Sequence, residues 1–171
     1  MNLTSGQKSQ LKTYITSNSD TNAAYLVGNN QLLANLLNQD NSPNFWVFRT
    51  SQTRDNYIGQ TSQDGTTFIF AGDGFVSRTA SEILAFNSMF SSEGKVNPSM
   101  PNVVQGFIDI FTGAVGTNAQ KNRTHLAAMS RRLASRCEKV FQTGAGTTAN
   151  PDVLVTEGPI TVSDLSDVKT W

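Results

Sequence analysis

The chain has 171 residues, 13 Lys or Arg balanced by 13 Asp or Glu, and one cysteine. That length suits one domain with a real core, and two full domains are not expected. A lone cysteine excludes an intrachain disulfide and a cysteine-rich zinc site, and zero net charge removes the positive balance usual in nucleic-acid binders. A first helix is predicted over residues 4–17, where Thr4 and Gln7 have capping-box spacing and Leu11, Tyr14 and Ile15 form a short apolar face. A second is predicted over 23–37, starting near Asp20 or Thr21 and weakened by Gly28; Leu26, Leu33 and Leu37 share its face. Residues 44–50 (NFWVFRT) and 66–71 (TTFIFA) read as strands that pair into one small element, with a helical turn near 53–58 between them. A third helix is predicted over 80–91, behind a Thr79/Glu82 capping box. Pro101 opens a fourth, with Val103, Val104, Phe107, Ile108 and Phe111 on one face and Gly113 as its stop.

Residues 121–141 then read as one amphipathic helix. Leu126, Met129, Leu133, Cys137 and Val140 recur at intervals of three or four and form an apolar stripe. Lys121, His125, Arg132, Arg136 and Lys139 form a second stripe, almost wholly basic, which points to docking against an acidic partner; the alternative is a solvated face over ordinary core packing. Arg132 and Arg136 are the expected interface anchors, because guanidinium pairs carboxylates bidentately, with His125 and Lys139 beside them. Truncating both arginines is expected to leave the monomer folded. Residues 1–142 thus form a helical body. Residues 143–171 read as a Gly/Thr linker and an extended arm, whose Leu154, Ile160, Leu165 and Trp171 each gain about 1.5–3 kcal/mol on burial. The arm is expected to be mobile alone and to order on a partner, so that deleting 149–171 leaves a folded monomer. The fold class is mainly α: a helical bundle with a small two-stranded β element and an extended C-terminal arm.

Catalytic chemistry finds little support. His125 is the only histidine and sits among cations, which disfavour the imidazolium of a Ser-His-Asp or Cys-His mechanism. Carboxylates are spread singly, and no cluster has metal-ligand spacing. The run from Thr143 to Thr148 lacks the Lys-Ser/Thr ending of a phosphate loop. No catalytic, cofactor-binding or metal-binding residue is assigned, and the chain does not read as an enzyme. No apolar run approaches the roughly 20 residues of a membrane span. The opening MNLTSGQKSQ lacks a secretion-signal layout, so a soluble protein used without export is expected. The basic helix could lie in a DNA major groove, although no aromatic residues interleave with it for stacking on single strands.

The segment Arg131-Arg132-Leu133-Ala134-Ser135-Arg136-Cys137-Glu138-Lys139-Val140-Phe141, followed by Thr143-Gly144-Ala145-Gly146-Thr147-Thr148, resembles a recurrent family of small tailed-phage proteins. Those carry R-x-A-[ST]-R-x-E-K, two hydrophobic residues and x-T-G-x-G-T before a Glu-Gly stretch, here Glu157-Gly158 with Ile160-Thr161. Phe45 to Thr50, Asn97-Pro98-Ser99 and Gln105-Gly106-Phe107 also look like the family, and the likeness runs from about Leu32 to Thr161. Cys137 stands where its members usually have Gly. The resemblance implies a virion structural component of the head-morphogenesis region, assembled in the host bacterial cytoplasm and without enzymatic activity. A head–tail connector (adaptor) ring subunit docked on the portal fits best. Its implied partners are copies of itself, the portal, and tail or capsid proteins, with non-specific contact to packaged DNA and no membrane. A capsid decoration or cement protein, and a small DNA-binding accessory factor using residues 121–141, are the alternatives.

Overall fold

A computed structural model describes residue 1 and residues 3–171. Among them are eight helices: α1 (Ser5–Ser17), α2 (Ser19–Leu26), α3 (Asn30–Leu37), α4 (Arg54–Gly59), α5 (Ala80–Ser88), α6 (Pro101–Ile110), α7 (Asn118–Met129) and α8 (Arg136–Val140). Four short strands accompany them: β1 (Trp46–Phe48), β2 (Gln52–Thr53), β3 (Lys95–Val96) and β4 (Arg131–Leu133). The protein is therefore mainly helical with a small β component, as its periodicity predicts. The capping boxes of Thr4/Gln7 and Thr79/Glu82 both form and start α1 and α5.

Three local expectations are corrected. The helix predicted over 23–37 is two helices, because Gly28 takes φ +71° after α2 and Asn29 then caps α3 by accepting from the Leu32 N–H at 3.0 Å. The helix predicted over 121–141 breaks at Ser130, whose hydroxyl donates back to Leu126 O at 2.7 Å and meets the Tyr57 hydroxyl at 2.8 Å. Strand β4 follows, and a Ser135/Glu138 capping box starts α8. The strand pairing also differs: β1 pairs with β4, and β2 runs antiparallel to β3 with Gln52 opposite Val96. Residues 66–71 join neither sheet. Asn122 of α7 takes the place of a neighbouring strand there, accepting from Ile69 N–H at 2.7 Å and donating to Ile69 O at 2.9 Å and Gly74 O at 2.8 Å.

The chain forms two compact units, residues 1–47 with 133–171 and residues 48–132, so it does not divide at the expected 142/143 boundary. In the first unit, Leu11 and Ile15 of α1, Leu33 and Leu37 of α3, and Cys137 of α8 share one core with Ile160, Leu165 and Val168. The C-terminal segment is thus a structural part of its own unit and not a detached arm. Its apolar clusters are short, but they dock on a surface the helices have already made. Asn38 completes the attachment, accepting from Ile160 N–H at 2.9 Å and donating to Ile160 O at 2.8 Å. Deleting 149–171 would remove three fully buried side chains worth about 1.5–3 kcal/mol each, a large part of a typical net stability.

The second unit is built on aromatic rings. Phe68, Phe86, Phe107, Phe111 and Tyr57 are buried together. Phe86 and Phe68 each meet Phe111 edge-on, at centroid distances of 5.5 and 5.8 Å, and Tyr57 meets Phe107 likewise at 5.2 Å. Asn122, fully buried, holds the irregular 66–74 segment onto this core. Asn122→Ala strands one backbone N–H and two carbonyls and should lower stability by about 2–4 kcal/mol, as read by urea unfolding. A loss under about 0.5 kcal/mol would mean that water replaces the amide without penalty.

Candidate functional site

The residues expected to form one interface stripe are separated by the break at Ser130. His125 lies on α7 and is fully buried, not surface-facing. Its Nε2 meets Tyr57 O at 2.7 Å, and its Nδ1 lies 3.1 Å from Thr66 O and 3.2 Å from the Thr66 hydroxyl. The ring ties α4 and the irregular segment at Thr66, both of the second unit, to α7. Its nearest hydroxyl, Thr66, is also held by Ser62 Oγ at 2.7 Å, and no carboxylate orients the ring as a catalytic triad requires. Arg132 is half-buried in β4.

Arg136 opens α8 and is engaged within the first unit. Its Nη1 and Nη2 donate to the two Asp20 oxygens at 2.6 and 2.9 Å, and its Nε donates to the Tyr14 hydroxyl at 3.0 Å. This bidentate geometry is the one expected of Arg136, but the partner is internal. The Arg136 guanidinium draws the Asp20 carboxyl down to about 2. Truncating Arg136 therefore removes a contact within the first unit.

The remaining motif residues also serve the fold. Glu138 is buried, accepting from the Ser135 N–H at 3.0 Å through Oε2 and from the Gly158 N–H at 3.1 Å through Oε1. A single carboxylate thus links the start of α8 to the Glu-Gly stretch twenty residues later. Gly146 has φ +56°, and a Cβ there would overlap the Phe45 ring; its carbonyl accepts from the Trp46 N–H at 2.7 Å. Gly144 N–H donates to Asp152 at 2.8 Å. The Thr-Gly-Ala-Gly-Thr run is a packed turn and not a hinge. Cys137 lies in the core as expected, and burial, reinforced by the Glu138 charge, pushes its thiol up to about 12.

The C-terminal residues expected at a partner interface are used internally. Ile160 and Leu165 are core residues, and Leu154 packs against Phe45, Val47 and Ala134. Trp171 rests on the first-unit core with the Lys8 ammonium 5.4 Å from its ring centroid. A surface opening in this unit is large enough for a ligand. A cleft of about 840 Å³ runs between α1, residues 41–45 and α8, with Tyr14, Asn44, Phe45, Lys139 and Gln142 among its walls. Lys139 places its ammonium 4.3 Å from the Phe45 ring centroid.

Among the described residues, no group of three or more His, Cys, Asp or Glu could hold a metal ion. No helix there is long and apolar enough to cross a membrane. No protein-family model, curated protein or solved structure matches the chain.

Two outcomes follow from this chemistry. Asp20 is more acidic folded than its ordinary 3.8, so its pairing stabilises the fold above that value and is lost as pH falls toward about 2. Urea midpoints of wild type and Asp20→Asn should differ at pH 6 and converge near pH 2; a constant gap would assign the effect to something other than ionisation. Cys137 should resist a thiol reagent at pH 8 in the native protein and react fully in denaturant. Rapid labelling of folded protein would contradict its burial.

Proposed function

We propose that the chain is a structural subunit of a tailed-phage virion, an adaptor ring component that docks on the portal at the head–tail junction. The observation that carries the reading is the resemblance of the Arg132–Thr147 motif, together with what its residues do. Arg136, Glu138 and Gly146 close contacts within the first unit, as residues of a scaffold would, and none is poised for bond-making. Exposed apolar side chains supply contact surface for subunit packing: Leu26 and Val27 in the first unit, and Val76, Leu84 and Val115 in the second. A ring subunit needs two complementary lateral faces that close on themselves.

The DNA-binding alternative loses its main support. His125 is buried and Arg136 is neutralised by Asp20, so residues 121–141 do not offer a continuous cationic face for several phosphates. A capsid decoration role draws on the same resemblance and differs from the adaptor reading in where on the particle the protein sits. The mass of the purified chain with and without portal protein, read by sedimentation and native mass spectrometry, tests the proposal. A closed ring that forms on the portal is the expected result. A chain that stays monomeric with portal and is missing from purified particles would overturn it, and recovery from tail-less capsids in large copy number would favour decoration.

A further inference from the structure

We propose that the first-unit cleft between α1, residues 41–45 and α8 is a binding site for an acidic, extended peptide segment of a protein partner. Its volume of about 840 Å³ falls within the range of ligand sites, about 300–1,000 Å³. The sign of the ligand follows from the lining. In a chain with as many acids as bases, no carboxylate lines this cleft, and Lys139 is its single cation. Lys139 has no ion-pair partner among the described residues, and its ammonium lies 4.3 Å from the Phe45 ring centroid. Phe45 is itself held fast, 5% exposed and pressed by the backbone of Gly146. The charge is therefore presented from a rigid base, which lowers the ordering cost of binding an anion.

The rest of the lining selects peptide over other anions. The side chains of Gln10, Ser42 and Asn44 make no hydrogen bond within the described residues, so their donors and acceptors remain for main-chain amides. Nucleic acid is a poor fit, because one ammonium neutralises one phosphate and duplex binding draws on several. Sugars are a poor fit because both rings that could stack a pyranose are occupied. Arg136 lies over Tyr14 at 5.7 Å, and Lys139 and Gly146 enclose Phe45. This inference does not rest on the virion reading and holds for any acidic protein partner.

The test uses the full chain and a capped hexapeptide of alternating Glu and Ser, with the Gln/Ser isostere as control. Calorimetry and amide NMR should show the Glu peptide binding, with shifts centred on Gln10, Asn44 and Lys139. The Gln peptide should bind at least about tenfold more weakly, a difference of about 1.4 kcal/mol. Lys139→Met keeps the stem on Phe45 and should weaken the Glu peptide about tenfold. Raising salt from about 50 to about 500 mM should weaken it too, since the cleft is open to solvent. If Lys139→Met does not fold, Lys139→Gln and Asn44→Ala carry the same expectation. Equal binding of the two peptides, no binding of either, or an unaffected Lys139 variant would overturn the proposal. So would full displacement of the peptide by equimolar acetate, phosphate or a DNA oligonucleotide.

Discussion

A backbone amide or carbonyl cannot be buried without a hydrogen-bond partner, and much of this chain is packed inside without belonging to a helix or a strand. Asparagine side chains meet that requirement. Asn122 serves Ile69 and Gly74, Asn38 serves both polar groups of Ile160, and Asn30 donates to Leu165 O. Each carries a donor and an acceptor on one planar group, so it can bond to a loop as an adjacent strand would. The aromatic core of the second unit and the helical core of the first both depend on segments secured in this way. This also gives a physical meaning to the low charge content: part of the neutral-polar composition that reads as surface is structural interior.

The same constraint explains what could be read from sequence and what could not. Helix starts were legible because a capping box is local, and Thr4/Gln7 and Thr79/Glu82 act as written. Ser135 and Glu138 form the same box, but the apolar period that runs through them makes α7 and α8 read as one helix. Strand partners were not legible. β1 and β4 lie more than eighty residues apart, and strands of two or three residues have too little pattern to reveal a period. The role of Asn122 was equally hidden, since nothing local distinguishes a buried asparagine from a solvated one. Of the candidate site, the bidentate habit of Arg136 and the burial of Cys137 were legible, while Asp20 as partner was not, because 116 residues separate it from Arg136.

The cations of the first unit show how a neutral chain distributes its charge. Lys12 donates to the carbonyls of Lys169 and Trp171 at 3.0 and 2.8 Å, Lys8 lies near the Trp171 ring, Lys169 near Tyr25 and Arg136 on Asp20. The lysine contacts draw the C-terminal segment onto α1 and α2, and Arg136 ties α8 to α2, so charge density along the sequence is a poor guide to the field outside. Lys139 makes the shortest of these ring contacts, 4.3 Å from the Phe45 centroid against 5.4 Å for Lys8 and 5.9 Å for Lys169. The motif around Arg136 also turns out to be a set of braces. Its arginine, glutamate and second glycine each join pieces of chain distant in sequence, which accounts for the spacing without invoking chemistry at those residues.

The first unit is discontinuous, with residues 48–132 inserted between its two parts. During synthesis, every residue of the second unit leaves the ribosome before Cys137, Ile160 and Leu165 exist to fill the first unit's core. The second unit can fold while α1 to α3 are still waiting for their partners. Within it, the Arg49 N–H donates to Ser130 O at 2.9 Å, which brings together the two ends of the insertion. A long loop has then already been closed when the later residues emerge, and the entropy of closing it no longer opposes completion of the first core. The order of translation thus favours the order of folding.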